Sequence, residues 1–255
     1  MNTTSTDTSK VETQTLKLAL AGVITLGLGA CGDGGTPADT QTDVPPPSGA
    51  ASVKPATTLV QYSPDYPKPM FIGTPVKVDL PHLEAPGTAE ISISVEEGTT
   101  LISKNKTVTS SDTEIPIQGE LSYITDGDKD GGDGYYVELS PDLQWVQIDL
   151  GDTHNIQAIG LWHFHKQARA YNDIIVQISD DAEFKSNVKT VYNNDHDNSA
   201  GLGKGSDKAY IETNHGRLIS GQNSAGRYIR LYSAGNTSDD LNHYVEVEIY
   251  GKPNA

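Results

Sequence analysis

The sequence predicts an all-β protein whose strands pack as a β-sandwich. Short runs alternate at the two-residue period of a strand. In "WVQIDLG" (145–151), Val146, Ile148 and Leu150 share one face and Trp145, Gln147 and Asp149 the other, while "NDIIVQIS" aligns Ile174, Val176 and Ile178. Gly/Asn/Asp turns separate these runs, and no stretch sustains a 3.6-residue apolar period for more than about two turns. The chain has 12 Tyr but only 2 Met, and much Gly, Thr and Ser, a composition suited to a β-rich extracytoplasmic domain.

The 255 residues allow one sizeable domain or two small ones. The first segment, 1–30, ends in "LKLALAGVITLGLGAC", where Lys17 precedes an apolar run too short and glycine-rich for a membrane span. This resembles a bacterial lipoprotein signal with a "Leu-Gly-Ala-Cys" lipobox. The resemblance implies cleavage before Cys31, the one cysteine, and its diacylation. An ordinary cleaved signal with a chance cysteine is the plainer alternative. With Cys31 lipidated the mature chain has no disulfide, and its stability comes from a packed core, with or without a metal.

Residues 31–57 are rich in Gly, Pro, Thr and Ala with little to bury, and read as a flexible tether. Residues 58–100 read as an irregular, proline-broken extension with one strand, "AEISISVEEG", whose Ile91, Ile93 and Val95 share a face. From 101 to 255 strands dominate: "WVQIDLG", "IQAIGLWHFH" (156–165), "NDIIVQIS", "RYIRLYS" and "HYVEVEIYG".

Net charge is -16, which argues against nucleic acid or anionic lipid as partner and favours cation binding or solubility. The acidic stretch "YITDGDKDGGDGYYVELS" (123–140) sets Asp126, Asp128, Asp130 and Gly131 at positions one, three, five and six of a calcium-loop pattern. An EF-hand needs a helix on each side, whereas "GELSYI" and "YYVEL" both read as strand, and Val137 stands where the bidentate acid belongs. Another calcium site or a solvated acidic turn remains.

The order of landmarks from 101 to 251 resembles the discoidin, or coagulation factor V/VIII C-type, domains and family 32 carbohydrate-binding modules. The resemblance rests on "LISKNKTVTSSD", "ITDGD", "WVQIDLGDTHNIQAIGLW", "YNDIIVQISDDAEF", "GRYIRLY" and "YVEVEIYG". It implies a galactose-binding-like jelly roll. The paired cysteines of the animal domains are absent, and the insert "VYNNDHDNSAGLGKGSDKAYIETNHGRLI" is longer and more polar than the family needs. The resemblance also implies a structural Ca²⁺ where the "D-G" loop meets the last strand, on Asp126 and Asp128, with Asp130, and Glu246.

The densest cluster is "LWHFHKQARAY". Its His163 and His165, at i and i+2, make half of a Zn or Cu site that His196, His215 or His243 could complete; the bland alternative is loop hydrogen bonding. A sugar site uses the same residues otherwise. Trp162, Phe164, Tyr171 and Tyr244 stack on a ring, and His163, His165, Asn194, Asp195, Arg230, Asn236, Asn242 and His243 hydrogen-bond. Core packing is the alternative for the aromatics.

No nucleophile elbow, zinc-protease motif or phosphate loop is present, and the acid pairs Asp180/Asp181 and Asp239/Asp240 are sequence neighbours that diverge on a strand. The chain therefore reads as a non-catalytic, lipid-anchored module of the cell envelope, outer-membrane, periplasmic or surface-exposed. It would bind a glycan or polysaccharide on a calcium-braced jelly roll and touch the membrane only through its lipid. Docking onto an envelope protein is the alternative, and histidine-based metal binding the third.

Overall fold

The computed structural model describes residues 57–69, 77–112, 116–132 and 134–254. The signal, Cys31 and the tether up to residue 56 lie outside the described residues.

Eleven strands are described in chain order: β1 (Leu59–Tyr62), β2 (Ile93–Glu96), β3 (Thr100–Leu101), β4 (Thr107–Ser110), β5 (Val137–Leu139), β6 (Gln144–Trp162), β7 (Ile175–Ser179), β8 (Lys189–Asn193), β9 (Arg217–Ser233), β10 (Asn242–Tyr244) and β11 (Glu246–Pro253). Every strand pair is antiparallel. The main sheet runs β3-β11-β6-β9-β7-β8 with β4 added on β6, and β10-β5 and β1-β2 form two small sheets. This is a jelly-roll β-sandwich.

Two long strands bend to build it. The sequence separates 145–151 from 156–165 by a turn, but the chain runs through as the 19-residue β6, whose register with β9 shifts between Asp149 and His154. Gly151 takes φ +90 at that shift, the left-handed region a glycine enters at least cost. The first half of β6 pairs with β4 and the second with β11, so this one strand carries a different neighbour along each half of its length.

The alternating positions fill the core as the periodicity predicts: Val146, Ile148, Leu150, Ile174, Val176 and Ile178 are all buried, with Ile229, Leu231, Val247 and Ile249 from β9 and β11. Burial of such side chains stabilises by roughly 1.5–3 kcal/mol each before the cost of ordering the chain.

Two local expectations change. "GELSYI" does not form a strand; Leu121–Thr125 is a 3-10 turn, opened by the Tyr123 N–H on the Glu120 carbonyl and anchored by buried Ile124. Ile91 is not on a core face: it is exposed and lies before β2, its carbonyl accepting from the Ser63 and Tyr66 hydroxyls instead of a ladder partner. β2 itself packs. Val95, with Tyr62 and Ile93, covers Ala158 and Tyr250, so the extension has a small core of its own on the sandwich.

Candidate functional site

The acidic loop and the last strand meet. Asp126 Oδ1 accepts the Asp128 N–H (2.8 Å) and Asp128 Oδ1 the Asp130 N–H (2.9 Å), two successive side-chain turns that curl the loop. The buried Glu246 carboxylate accepts the Gly127 N–H at 2.9 Å. Burial, reinforced by the charges of Glu248 and Asp126, pushes Glu246 up to about 8. The neighbouring buried acid, Glu248, is paired with Lys129 Nζ at 2.6 Å and hydrogen-bonded to Tyr250. Asp126, Asp128 and Asp130 stay exposed. Among the described residues, the one set of three or more metal-binding side chains with atoms within 4.8 Å of one another is Asp173, Asp195 and Asp197. The four acids anticipated for calcium are thus not gathered into a cage of side chains. Of the four, Glu246 alone is buried, and burial keeps it protonated at neutral pH in the metal-free protein.

The histidines do not converge on a metal. His163 is fully buried, its Nδ1–H on Glu212 Oε1 at 2.7 Å and its ring stacked 4.2 Å from Tyr171. His165 donates Nε2–H to the Lys129 carbonyl, and His196 donates to that of Asp207. His243 lies between the Tyr171 hydroxyl (2.9 Å) and Glu138 Oε2 (3.1 Å), while His215 meets Tyr66 edge-on. Each ring braces a different loop.

Most residues anticipated to touch a sugar are likewise occupied. Trp162 and Tyr171 have no exposed surface, and neither does Tyr244, so they are core and cannot stack on a ligand; the Trp162 indole N–H goes to the Asn214 carbonyl. Buried Asp195 accepts the Ser199 and Ala200 N–H groups. Asn242 accepts from Ser233 and Gly235 and donates to the carbonyls of Ser140 and Asp142. Asn236 closes its own turn through the N–H groups of Ser238 and Asp239. Arg230 is held between the rings of Trp145 and Phe184, 4.2 Å from each, with Gln147 and the Ala182 carbonyl as partners. Side chains able to make two hydrogen bonds spend both inside loops, because buried loop backbone must be satisfied.

His163 Nε2, His165 Nδ1 and Asn194 Nδ2 are buried without a partner, and of these three residues only Asn194 lines a cleft. Its Oδ1 accepts the Ile174 N–H at 2.7 Å, but its Nδ2, in a residue 6% exposed, has no partner. Asn194 lines a cleft of about 500 Å³ with Asp173, His196, Asp197 and, from the extension, Leu80 and His82. The His82 and His196 rings stack at 3.8 Å. Burial and the charges of Asp195 and Asp197 hold the Asp173 carboxyl above its ordinary range. A second cleft of about 440 Å³ shares Asn172, Asp173, Ser199 and Ala234 with the first and adds Asp142 and Asp240. The sequence reading marked "NNDHDN", which contains Asp197, and singled out Asn194 and Asp195 within it, but did not reach Asp173 or His82. "LPHLE" carries no pattern that would have flagged His82.

A sandwich with clefts among the loops at β7, β8 and β9 defines a class of domain, the galactose-binding-like jelly roll. Residues 123–231 match the F5/F8 type C family model, described as a NedA-like, galactose-binding domain. No curated protein matches the chain. Similar solved structures include a family 89 glycoside hydrolase from Clostridium perfringens in complex with 2-acetamido-1,2-dideoxynojirmycin (21% identity, 60% of this chain, TM-score 0.46). The chain spans 15% of that enzyme's length. Others are the CBM32 of AlyQ in complex with 4,5-unsaturated mannuronic acid (20% identity, 56% of this chain and 92% of that one, TM-score 0.42) and chitosan-binding module 1 of a chitosanase/glucanase from Paenibacillus sp. IK-5 (21%, 60% and 99%, TM-score 0.40).

Proposed function

We propose that this protein is a non-catalytic glycan-binding module of the cell envelope. It is held by a lipid on Cys31 and braced by Ca²⁺ between the 126–130 loop and Glu246, with its ligand site in the joined clefts around Asp173 and Asn194. One observation carries the placement: the buried, unpartnered amide of Asn194 beside the carboxylates of Asp173 and Asp197. A donor set against acceptors is what neighbouring sugar hydroxyls need, each being both donor and acceptor. The family's galactose-binding description supports the ligand class.

The test is a glycan array followed by calorimetry on the best hit, with wild type and Asp197→Ala, an exposed position. The variant is expected to lose about tenfold or more in affinity with its melting temperature unchanged. Undiminished binding would move the site elsewhere.

A second reading, docking onto an envelope protein, has its own observation. Val60, on β1, and Ile91, just before β2, leave apolar side chains exposed on the N-terminal extension, as does Leu59 on the other face of β1. Val60→Lys separates the two, because it would weaken protein capture and leave glycan affinity as it is.

A further inference from the structure

Resting on the glycan reading of the joined clefts, we propose that their ligand is an amine-bearing glycan. An ammonium group would sit at Asp173 and Asp197, with a neighbouring hydroxyl on the amide of Asn194.

Charge is the first argument. The two clefts are lined by the carboxylates of Asp142, Asp173, Asp197 and Asp240, and by no lysine or arginine. Among the described residues none of these four carboxylates is within ion-pair distance of a Lys or Arg. Buried Asp195 adds a further negative charge behind the wall, its carboxylate within 4.8 Å of those of Asp173 and Asp197. A uronic-acid or sulfated chain would meet like charge along its whole length, and a neutral chain would leave these carboxylates without a counter-charge.

Hydrogen-bond chemistry is the second and is independent of charge. Asn194 Nδ2 is a donor, so a metal ion cannot satisfy it; it requires an oxygen. The Ser199 hydroxyl and N–H already bond Asp173 Oδ2 and Asp197 Oδ1, which fixes both carboxylates while leaving lone pairs free. An ammonium offers three donors and a hydroxyl beside it one acceptor. A 2-amino sugar carries both on adjacent carbons. The raised protonation range of Asp173, caused by its burial and then its acidic neighbours, is a cost that such a cation removes.

Shape is the third. Because the clefts share Asn172, Asp173, Ser199 and Ala234, they form one groove, with Asp142 and Asp240 at its far end for a further ammonium. The groove therefore suits a chain of amino sugars better than a single terminal residue.

The experiment compares calorimetric affinity of the full chain for a fully deacetylated glucosamine tetramer, its N-acetylated counterpart and an oligogalacturonate. Each is measured at low and high salt, with and without chelator. Asp173→Asn, Asp197→Asn and a control carrying Glu90→Gln and Glu97→Gln, two exposed acids outside the groove, are run in parallel. The expected result is about tenfold or greater preference for the free amine, weakened by salt and unaffected by chelator. The groove variants lose that preference and the control keeps it. Equal affinity for amine and acetamide, or preference for the uronate, overturns the amine assignment and leaves the glycan reading standing. An equal loss in the control shows unspecific attraction to an acidic protein and overturns it too. Binding abolished by chelator and restored by calcium, while circular dichroism shows the chelated protein still folded and Asp126→Ala keeps the same calcium requirement, assigns the groove carboxylates to a metal that bridges neutral hydroxyls and overturns the amine assignment. Failure to bind these sugars or any glycan on an array removes the underlying reading as well.

Discussion

The buried carboxylate of Glu246 accepts the N–H of Gly127 at 2.9 Å, joining the last strand to a loop 119 residues earlier. Its titration in metal-free protein follows from its position. The native carboxyl, pushed up to about 8 chiefly by burial, holds its proton where an unfolded glutamate near 4.5 has lost it. The stability it contributes is fully present below about pH 4.5 and is lost as pH rises through about 8. Thermal melts in chelator should show that decline, on the order of a few kcal/mol, and Glu246→Gln should flatten it. Calcium should restore wild-type stability at neutral pH, but less so in Asp126→Ala. Identical melts with and without calcium would remove the proposed brace.

Gly131 tests the same loop by sterics alone. It takes φ +55, and a Cβ there would lie 2.9 Å from Cγ2 of buried Val245. Gly131→Ala should therefore lower stability by about 1–3 kcal/mol, whether or not calcium is present. A variant as stable as wild type in chemical denaturation would mean that the loop relaxes without strain.

How far the sequence could be read depends on which residues carried periodic information. Val146, Ile148 and Leu150 announce their burial by alternation, and Gly131 announces a turn by its place in the calcium-loop pattern, where it takes φ +55. The contact of the Gly127 loop with Glu246 was legible only through resemblance, since no local pattern joins two such distant positions. The groove was half legible. "NNDHDN" is conspicuous in hydrogen-bonding groups, but which of them are consumed by backbone depends on the tertiary path. Asp195 is spent on two N–H groups, while its neighbour Asn194 keeps a free amide. The aromatics misled for the same reason, because Trp162 and Tyr171 look alike as core or platform until burial decides.

His243 gives a pH dependence of opposite sign. Burial, with the charges of Arg169 and His163, holds it down to about 4 despite Asp239. Its stabilising contribution is present above about 6.5, the unfolded value, and is lost as pH falls toward 4. The loss is about 3 kcal/mol at most. Because Glu246 acts in the opposite direction over that window, the difference between wild type and His243→Gln is the quantity to follow. That difference should shrink from pH 7 to pH 4.5 in urea titrations. A constant difference would mean that the buried ring does not resist protonation.

The last prediction concerns where the domain begins. The sequence reading starts the jelly roll at 101, but the groove's wall includes Leu80 and His82, which precede that boundary. What pins this segment is Glu84. Its N–H donates to the Ala209 carbonyl, and its carboxylate accepts from Arg217 Nη2 at 2.7 Å. The Arg217 guanidinium lies 3.9 Å from the centre of the Tyr210 ring. Both charged side chains are largely shielded, so removing one leaves the other short of a partner, at a cost of about 1–3 kcal/mol. Glu84→Ala should thus lower stability and, by releasing the strap that carries His82, weaken ligand binding. His82→Ala removes only the ring stacked on His196 and should weaken binding with little change in stability. If both variants bind as wild type does, the segment before 91 is packing and not part of the site. If only Glu84→Ala weakens binding, the strap positions the groove without touching the ligand.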